Sequence, residues 1–263
     1  MNILDTIIAH KRTEIAARKA GTPASMLEKE ALFNRKVLSL KEFLLNDART
    51  GIIAEFKRRS PSKGLINGTA DVVEVTSAYA KHASGLSVLT DEVFFGGSTA
   101  DLKAARVNQV PILRKDFIVD EYQILEARAM GADVILLIAA CLTPAEVKRL
   151  ATFATQLGLE VLLELHDEEE LAHICDETVL VGINNRDLRT FKVDIERSLG
   201  MAQRIPDNRI KIAESGINAV ENILLFRKNG FRGFLIGENF MKAAEPAKAF
   251  ESFVQELQAA IAR

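Results

Sequence analysis

From Gly51 onward, short apolar runs alternate with longer amphipathic segments, and this alternation constrains the fold more than any other feature of the chain. The runs fall at Ile52–Phe56, Leu86–Leu89, Ile112–Arg114, Val134–Ile138, Glu160–Leu163, Leu180–Ile183, Ile210–Ala213 and Gly233–Ile236. Each has strand length, and helical periodicity lies between them. Thr143–Leu157 is a clear example: "TPAE" puts an N-cap threonine before a proline at the first helical position. "SLGMAQRI" and "NAVENILLFRKNG" also read as helices, the second closed by Gly230. Strands alternating with helices imply a parallel sheet. A doubly wound dinucleotide fold should show G-x-G-x-x-G after an early strand, and the sequence has none. Eight units in about 210 residues fit a closed (β/α)8 barrel instead.

Before Gly51 the texture differs. "ILDTIIAHKRTEIAARK" carries apolar residues at helical spacing, Pro23 interrupts, and a second helix is expected over Leu38 to Leu45. Residues 1–48 therefore read as a helical extension of a single domain spanning 1–263, an appendage that precedes the repeating pattern. The chain holds 34 basic and 36 acidic residues, so no global field favours nucleic acid or an anionic membrane. The longest apolar run, Val134–Leu142, is too short to span a bilayer. The N-terminus lacks a signal-peptide core, and Cys141 and Cys175 are too few for a disulfide scaffold or zinc site. A cytoplasmic protein with reduced thiols is expected.

A barrel places reactive groups at the C-terminal ends of its strands. Glu55 and Lys57 end the first strand, Arg114, Lys115 and Asp116 the third, and Glu164 the fifth. Asn184, Asn185 and Arg186 follow the sixth, Glu214 and Ser215 the seventh, and Gly237 and Glu238 the eighth. The strand starts read as carrying nothing comparable. Residues i and i+2 share a strand face. Glu55 and Lys57 therefore point into the barrel mouth if Phe56 packs under the helices. Leu113 with Lys115, Leu162 with Glu164 and Ile212 with Glu214 repeat the arrangement. Glutamates and lysines converging on one pocket suit general acid–base chemistry, because neighbouring charge and desolvation separate their pKa values.

"AESGIN" and "LIGENF" put a glycine directly after strands seven and eight. Such turns can present backbone N–H groups to a phosphate. Arg58, Arg59 and Lys63 read as either a solvated loop face or an anion-steering rim. His166 beside Asp167 looks like a helix start, and His10, His82 and His173 like surface positions in helical stretches.

These motifs, together with "IIAEFKRRSPSKG", "SVLTDEVFFGGS", "ILRKDFIVDEYQI", "GADVILLI", "LLELHDEEEL", "GINNRDLRTFKVD", "IAESGI" and "FLIGENFM", resemble the indole-3-glycerol-phosphate synthase family over essentially the whole length. The resemblance implies a (β/α)8 barrel with an N-terminal helical segment. It implies ring closure of 1-(2-carboxyphenylamino)-1-deoxyribulose 5-phosphate, with loss of carbon dioxide and water, in tryptophan biosynthesis. No cofactor or metal is expected. The expected partner is a small phosphorylated substrate, with no nucleic acid or membrane. The chain is expected to be monomeric, single-function, and at most weakly associated with other enzymes of the pathway.

By the same resemblance, Lys115 is the general acid for ring closure and Glu164 the acid–base partner of the later steps. Lys57 clamps the substrate, reaching its phosphate or carboxylate. Glu55 and Glu214 hold the lysines and substrate hydroxyls, and Asn184, rather than Asn185, binds the substrate. Ser60 belongs to the mobile first loop. Arg186 supports Glu164 and Asn184. Phe94, Phe117 and Leu136 sandwich the aromatic ring. Ser215, Gly216, Gly237 and Glu238 supply the phosphate site. An isomerase of the same pathway would need a Cys/Asp pair at strand ends, and no cysteine ends the first strand. "LINGTAD" lacks the acidic run expected in many relatives, which bears on loop closure rather than chemistry.

Overall fold

A computed structural model describes residues 3–187 and 192–262. Part of the motif "GINNRDLRTFKVD", Leu188 to Phe191, lies outside the described residues. Eight parallel strands close into a barrel: β1 (Ile52–Phe56), β2 (Gly85–Leu89), β3 (Ile112–Lys115), β4 (Val134–Ile138), β5 (Glu160–Leu165), β6 (Leu180–Asn184), β7 (Ile210–Glu214) and β8 (Phe231–Ile236). Each pairs with its sequence neighbours, and β1 closes on β8 with Ile52 opposite Phe234 and Ile53 opposite Leu235. The strands match the expected runs to within two residues at either end. The first loop adds a small antiparallel hairpin, Arg59–Ser60 against Gly64–Leu65.

Strand parity sorts the apolar residues into two cores. Ile53, Leu113, Leu136, Leu162, Ile212 and Leu235 fill the barrel interior. Their neighbours of opposite parity, Phe56, Val88, Ile135 and Leu163 among them, pack under the surrounding helices. The helices, in chain order, are α1 (Ile3–Gly21), α2 (Ala24–Leu27), α3 (Leu40–Leu45), α4 (Val72–Ala80), α5 (Thr99–Ala105), α6 (Glu121–Met130), α7 (Pro144–Gln156), α8 (Ile195–Ala202), α9 (Val220–Lys228), α10 (Glu238–Met241) and α11 (Pro246–Ile261). α7 begins at the expected N-cap Thr143, which also forms a capping box: each side chain of Thr143 and Glu146 accepts from the other's backbone N–H. The fifth crossover is a short 3-10 segment, Glu168–His173, instead of a full helix.

α3 starts at an N-cap, Ser39, and inserts Leu40 and Leu44 into the bottom of the barrel interior. Gly85 makes room for it, since a Cβ there would lie 2.7 Å from Leu40 Cδ1. The strand starts are not bare of charge, contrary to the expectation. Asp133, fully buried before β4, is held by Arg35 and Arg106 and accepts backbone N–H bonds from Leu38 (2.7 Å) and Ile112 (2.8 Å). Glu160 accepts from Ser39 Oγ (2.5 Å) and Lys41 N (3.1 Å). Arg35, Leu38, Ser39 and Lys41 lie on α3 and the segment before it, far away in sequence.

α1 is more than an appendage. Lys11, which would be solvated on an isolated helix, is fully buried and pairs with Asp91 (2.9 Å) and Asp116 (3.1 Å) on the loops after β2 and β3. Asp116 also receives the buried Arg114 (2.9 Å) and Thr90 Oγ1 (2.7 Å). Burial works against the Asp116 anion, but Arg114 and Lys11 outweigh it and hold its carboxyl well below the usual range. Tyr122 Oη caps the end of α1 by donating to Arg18 O (3.2 Å) and Thr22 O (2.7 Å).

Candidate active site

A cavity of about 200 Å³ opens at the C-terminal ends of the strands. Parity delivers the charged groups to it. Phe56 packs outward beneath the helices, so Glu55 and Lys57 face inward and pair at 2.7 Å. Glu55 also accepts from Ser87 Oγ at 3.3 Å. Gly237 leaves space for this carboxylate, because a Cβ there would come within 2.6 Å of Glu55 Oε1. The glycine after β8 therefore has a packing reason as well as its expected turn.

Lys115 is the centre of the cluster. Its Nζ lies 2.7 Å from Glu164 Oε2 and 2.8 Å from Glu214 Oε2. Burial opposes the ammonium, but Glu164, Glu214 and Glu55 together raise its pKa, so it stays cationic across the neutral range. The two carboxylates differ. Glu164 accepts from Asn184 Nδ2 (3.0 Å) and meets His166 Nε2 at 3.1 Å, both at Oε1. Burial pushes Glu164 upward, yet Lys115 and His166 overcome it and keep the group ionised. Glu214 has no hydrogen-bond partner at Oε1 among the described residues. Burial pushes it up to about 8, with Lys115 opposing and Glu164 reinforcing the shift. Gly182 on β6 makes room for that oxygen, since a Cβ would lie 2.2 Å away.

Asn184 faces the cavity, whereas Asn185 is buried and donates from Nδ2 to Ser215 O (2.7 Å). This bond holds Ser215, whose φ of 67° is left-handed and unusual for a residue with a side chain. Gly216 continues the turn at φ 71°. Ser215, Gly216, Gly237 and Glu238 line one side of the cavity, and Ser60 of the hairpin lines another. Arg186 lines it too, but its guanidinium does not support Glu164. It donates to Ser62 Oγ (3.1 Å) and pairs with Glu238 Oε2 (3.2 Å), and only its backbone N–H reaches Asn184, at Oδ1 (3.0 Å). Arg58 is no free rim charge, being engaged at Asp101 (2.6 Å).

The apolar wall departs from expectation at one position. Phe117 and Leu136 line the cavity, and Phe94 does not. Asp91 accepts the backbone N–H groups of Phe94 (2.7 Å) and Phe95 (3.2 Å), turning the loop so that Phe94 packs edge-on against His10 of α1. Phe95 faces the cavity beside Phe117, ring centroids 5.9 Å apart. Ile3, Leu4 and Ile7 complete this wall, so the N-terminal helix forms part of the site. His166 was expected to be only a helix start. Asp167 does cap the 3-10 segment, but i and i+2 parity also brings His166 to Glu164, as it brings Lys57 to Glu55. His10 is exposed as expected. His82 lies half-buried in a turn, and His173 is half-buried with its ring nitrogens on Glu170 O (3.0 Å) and Leu142 O (2.8 Å).

Comparison of the sequence with known proteins matches the chain to one family. A sequence model described as Indole-3-glycerol phosphate synthase matches residues 4–253. A relative of that name from Bacteroides thetaiotaomicron is 46% identical over 98% of this chain and 99% of its own length. Another, from Chromobacterium violaceum, is 47% identical over 94% of this chain and 96% of its own. Among solved structures, KGPDC from Streptococcus mutans aligns with a TM-score of 0.59 at 14% identity, covering 79% of this chain and 97% of that one. A chain of the tryptophan synthase complex from Pyrococcus furiosus aligns at 0.58 and 18% identity, covering 80% and 99%. At such identities these two speak to the barrel alone.

Proposed function

The chain belongs to the indole-3-glycerol phosphate synthase family, and from that membership we propose how its rim residues divide the reaction. The protein is a carboxy-lyase of tryptophan biosynthesis. It closes the pyrrole ring of 1-(2-carboxyphenylamino)-1-deoxyribulose 5-phosphate, releasing carbon dioxide and water to give indole-3-glycerol phosphate.

The observation that carries the assignment of roles is Lys115, a buried ammonium held between two carboxylates at the cavity. Ring closure onto a ketone builds negative charge on the carbonyl oxygen. Lys115 is the acid that meets it, exchanging a carboxylate contact for the developing oxyanion. Dehydration then needs an acid for the departing hydroxyl and a base for the ring proton. Glu164, ionised, is the base. Glu214 holds Lys115 and retains a proton near neutrality, which places a second acid within the cluster. Lys57, held by Glu55, clamps the substrate's anionic group, and Asn184 binds the substrate while orienting Glu164.

Ser215, Gly216, Gly237 and Glu238 receive the phosphate, the last three through backbone N–H groups. Ser60 and Arg186 close over the substrate from the hairpin side. Phe117, Leu136 and Phe95, in place of Phe94, hold the aromatic ring. Residues 1–263 act as one domain with 1–48 as its extension. No described helix is long and apolar enough to cross a membrane. We place the protein in the cytoplasm as a monomer, with at most weak association with other enzymes of the pathway.

The test follows indole fluorescence after adding the substrate. The chain has no tryptophan and two tyrosines, so excitation in the indole band meets almost no protein background. A rise in fluorescence matched by carbon dioxide release is expected, and its absence at saturating substrate would overturn the reading.

A further inference from the structure

Lys115 is shared by two carboxylates at nearly equal distance, 2.7 Å to Glu164 and 2.8 Å to Glu214. Two carboxylates competing for one cation tend to hold a proton between them, and nothing in the lysine decides which one carries it. The surroundings break the tie. Glu164 has a second charged neighbour, His166, whose Nε2 lies 3.1 Å from Oε1. Glu214 has none at its other oxygen among the described residues. We propose that His166 is a positioning residue that assigns the two carboxylates their roles, its imidazolium keeping Glu164 as the base and leaving the shared proton on Glu214. This rests on the role given above to Glu164.

The ring is built into place. It is 5% exposed and does not line the cavity, so it acts through Glu164 and not on the substrate. Its backbone N–H donates to Glu170 Oε2 (2.5 Å), and its Nδ1 lies 3.8 Å from the same oxygen. Glu170 is itself fixed by the turn, accepting from Asp167 N at 3.3 Å. The charged and titratable groups around the ring come from several elements. They are Glu164 on β5 and Glu170 on the 3-10 segment, with Lys115 and Glu214 beyond Glu164, and Cys141 after β4 shares the field of Glu164 and Glu170. The Cys141 thiol is pushed up by burial, then by Glu164, Glu170 and Asp5, so it stays neutral. The field at the ring is thus dominated by carboxylates. Burial opposes its charge, but Glu164 and Glu170 raise the imidazole to about 9. It is a cation throughout the neutral range.

The experiment compares pH profiles of kcat and KM for wild type, His166→Gln, Glu170→Gln and Glu164→Gln. The glutamine at 166 keeps a hydrogen-bond donor for Glu164 and removes the charge. Its kcat should fall roughly tenfold while KM changes less than about twofold, because the substrate does not touch the ring. The acid limb of kcat, where Glu164 takes up its proton, should move up by roughly one pH unit or more. Glu170→Gln leaves the ring in place and should move the limb in the same direction by less; it decides the matter if His166→Gln does not fold. A purely structural His166 would lower Tm and leave the limb where it is. That result, or a His166→Gln enzyme with wild-type kcat and profile beside an inactive Glu164→Gln, would overturn this inference alone. A fully active Glu164→Gln would overturn the role of Glu164 and this inference with it.

Discussion

The two ends of the barrel both bury carboxylates, and they treat them differently. At the bottom, Asp133 is saturated: two guanidinium groups and two backbone N–H groups share its two oxygens. At the top, Glu214 shares one lysine with Glu164, leaves one oxygen without a partner among the described residues, and faces an open cavity. Burial is alike at the two sites. Satisfaction separates them. A saturated carboxylate locks a structure together, whereas an under-satisfied one beside a cavity keeps bonding capacity for something that arrives later.

The strongest way to break this comparison is to remove one charged group at each end, the lysine at the top and the carboxylate at the bottom. Lys115→Ala should cut kcat by about 10²–10⁴-fold with little change in KM, read by indole fluorescence. Turnover within threefold of wild type would remove Lys115 from its role. Asp133→Ala should instead cost about 3–5 kcal/mol in denaturant unfolding, because Arg106 and Arg35 lose their buried partner. Its kcat per folded molecule should stay near wild type; a large loss would mean that the bottom end also serves the chemistry.

A third variant, Glu214→Gln, sharpens the contrast through pH. Between the ordinary carboxylate range and about 8, folded Glu214 keeps a proton that the unfolded chain releases, so wild-type stability falls as pH rises through that window. The glutamine lacks this loss. Its stability relative to wild type should therefore grow across the window and level off above about 8. Chemical denaturation at several pH values checks it, and a pH-independent difference would show that Glu214 is as well accommodated as Asp133.

Much of the upper end was legible because strand alternation is strict. Glu55 with Lys57, Leu113 with Lys115 and Ile212 with Glu214 all take the faces that parity predicts. The same rule holds for Glu164 and His166, where the reading as a helix start obscured it. Loops offer no such rule. Which of two adjacent phenylalanines faces the cavity depends on Asp91 capping the backbone, and sequence spacing is silent on that. The lower end was not legible at all, since Asp133 and Glu160 meet partners on the segment Arg35–Lys41, about 100 residues away. Lys11 misleads for the same reason: on an amphipathic helix it reads as solvated, and its buried partners belong to distant loops.

The smallest predicted effect tests the loop. Phe95→Ala should raise KM roughly tenfold by removing part of the apolar wall, an effect of the size expected for one buried side chain. Phe94→Ala should leave KM within about twofold and weaken the packing of α1 instead, seen as a lower Tm. Equal KM values for the two variants would contradict the placement of these rings.

The pairing of β1 with β8 also sets a timetable. Ile52 and Phe234 are neighbours in the barrel but stand 182 residues apart in the chain. Contacts of such separation form late, after the long loop they close has lost its freedom. Lys57 comes from one side of that seam, and Gly237 and Glu238 from the other. During refolding, helical signal should therefore recover before turnover does. The lag between the two would time the closing of the ring.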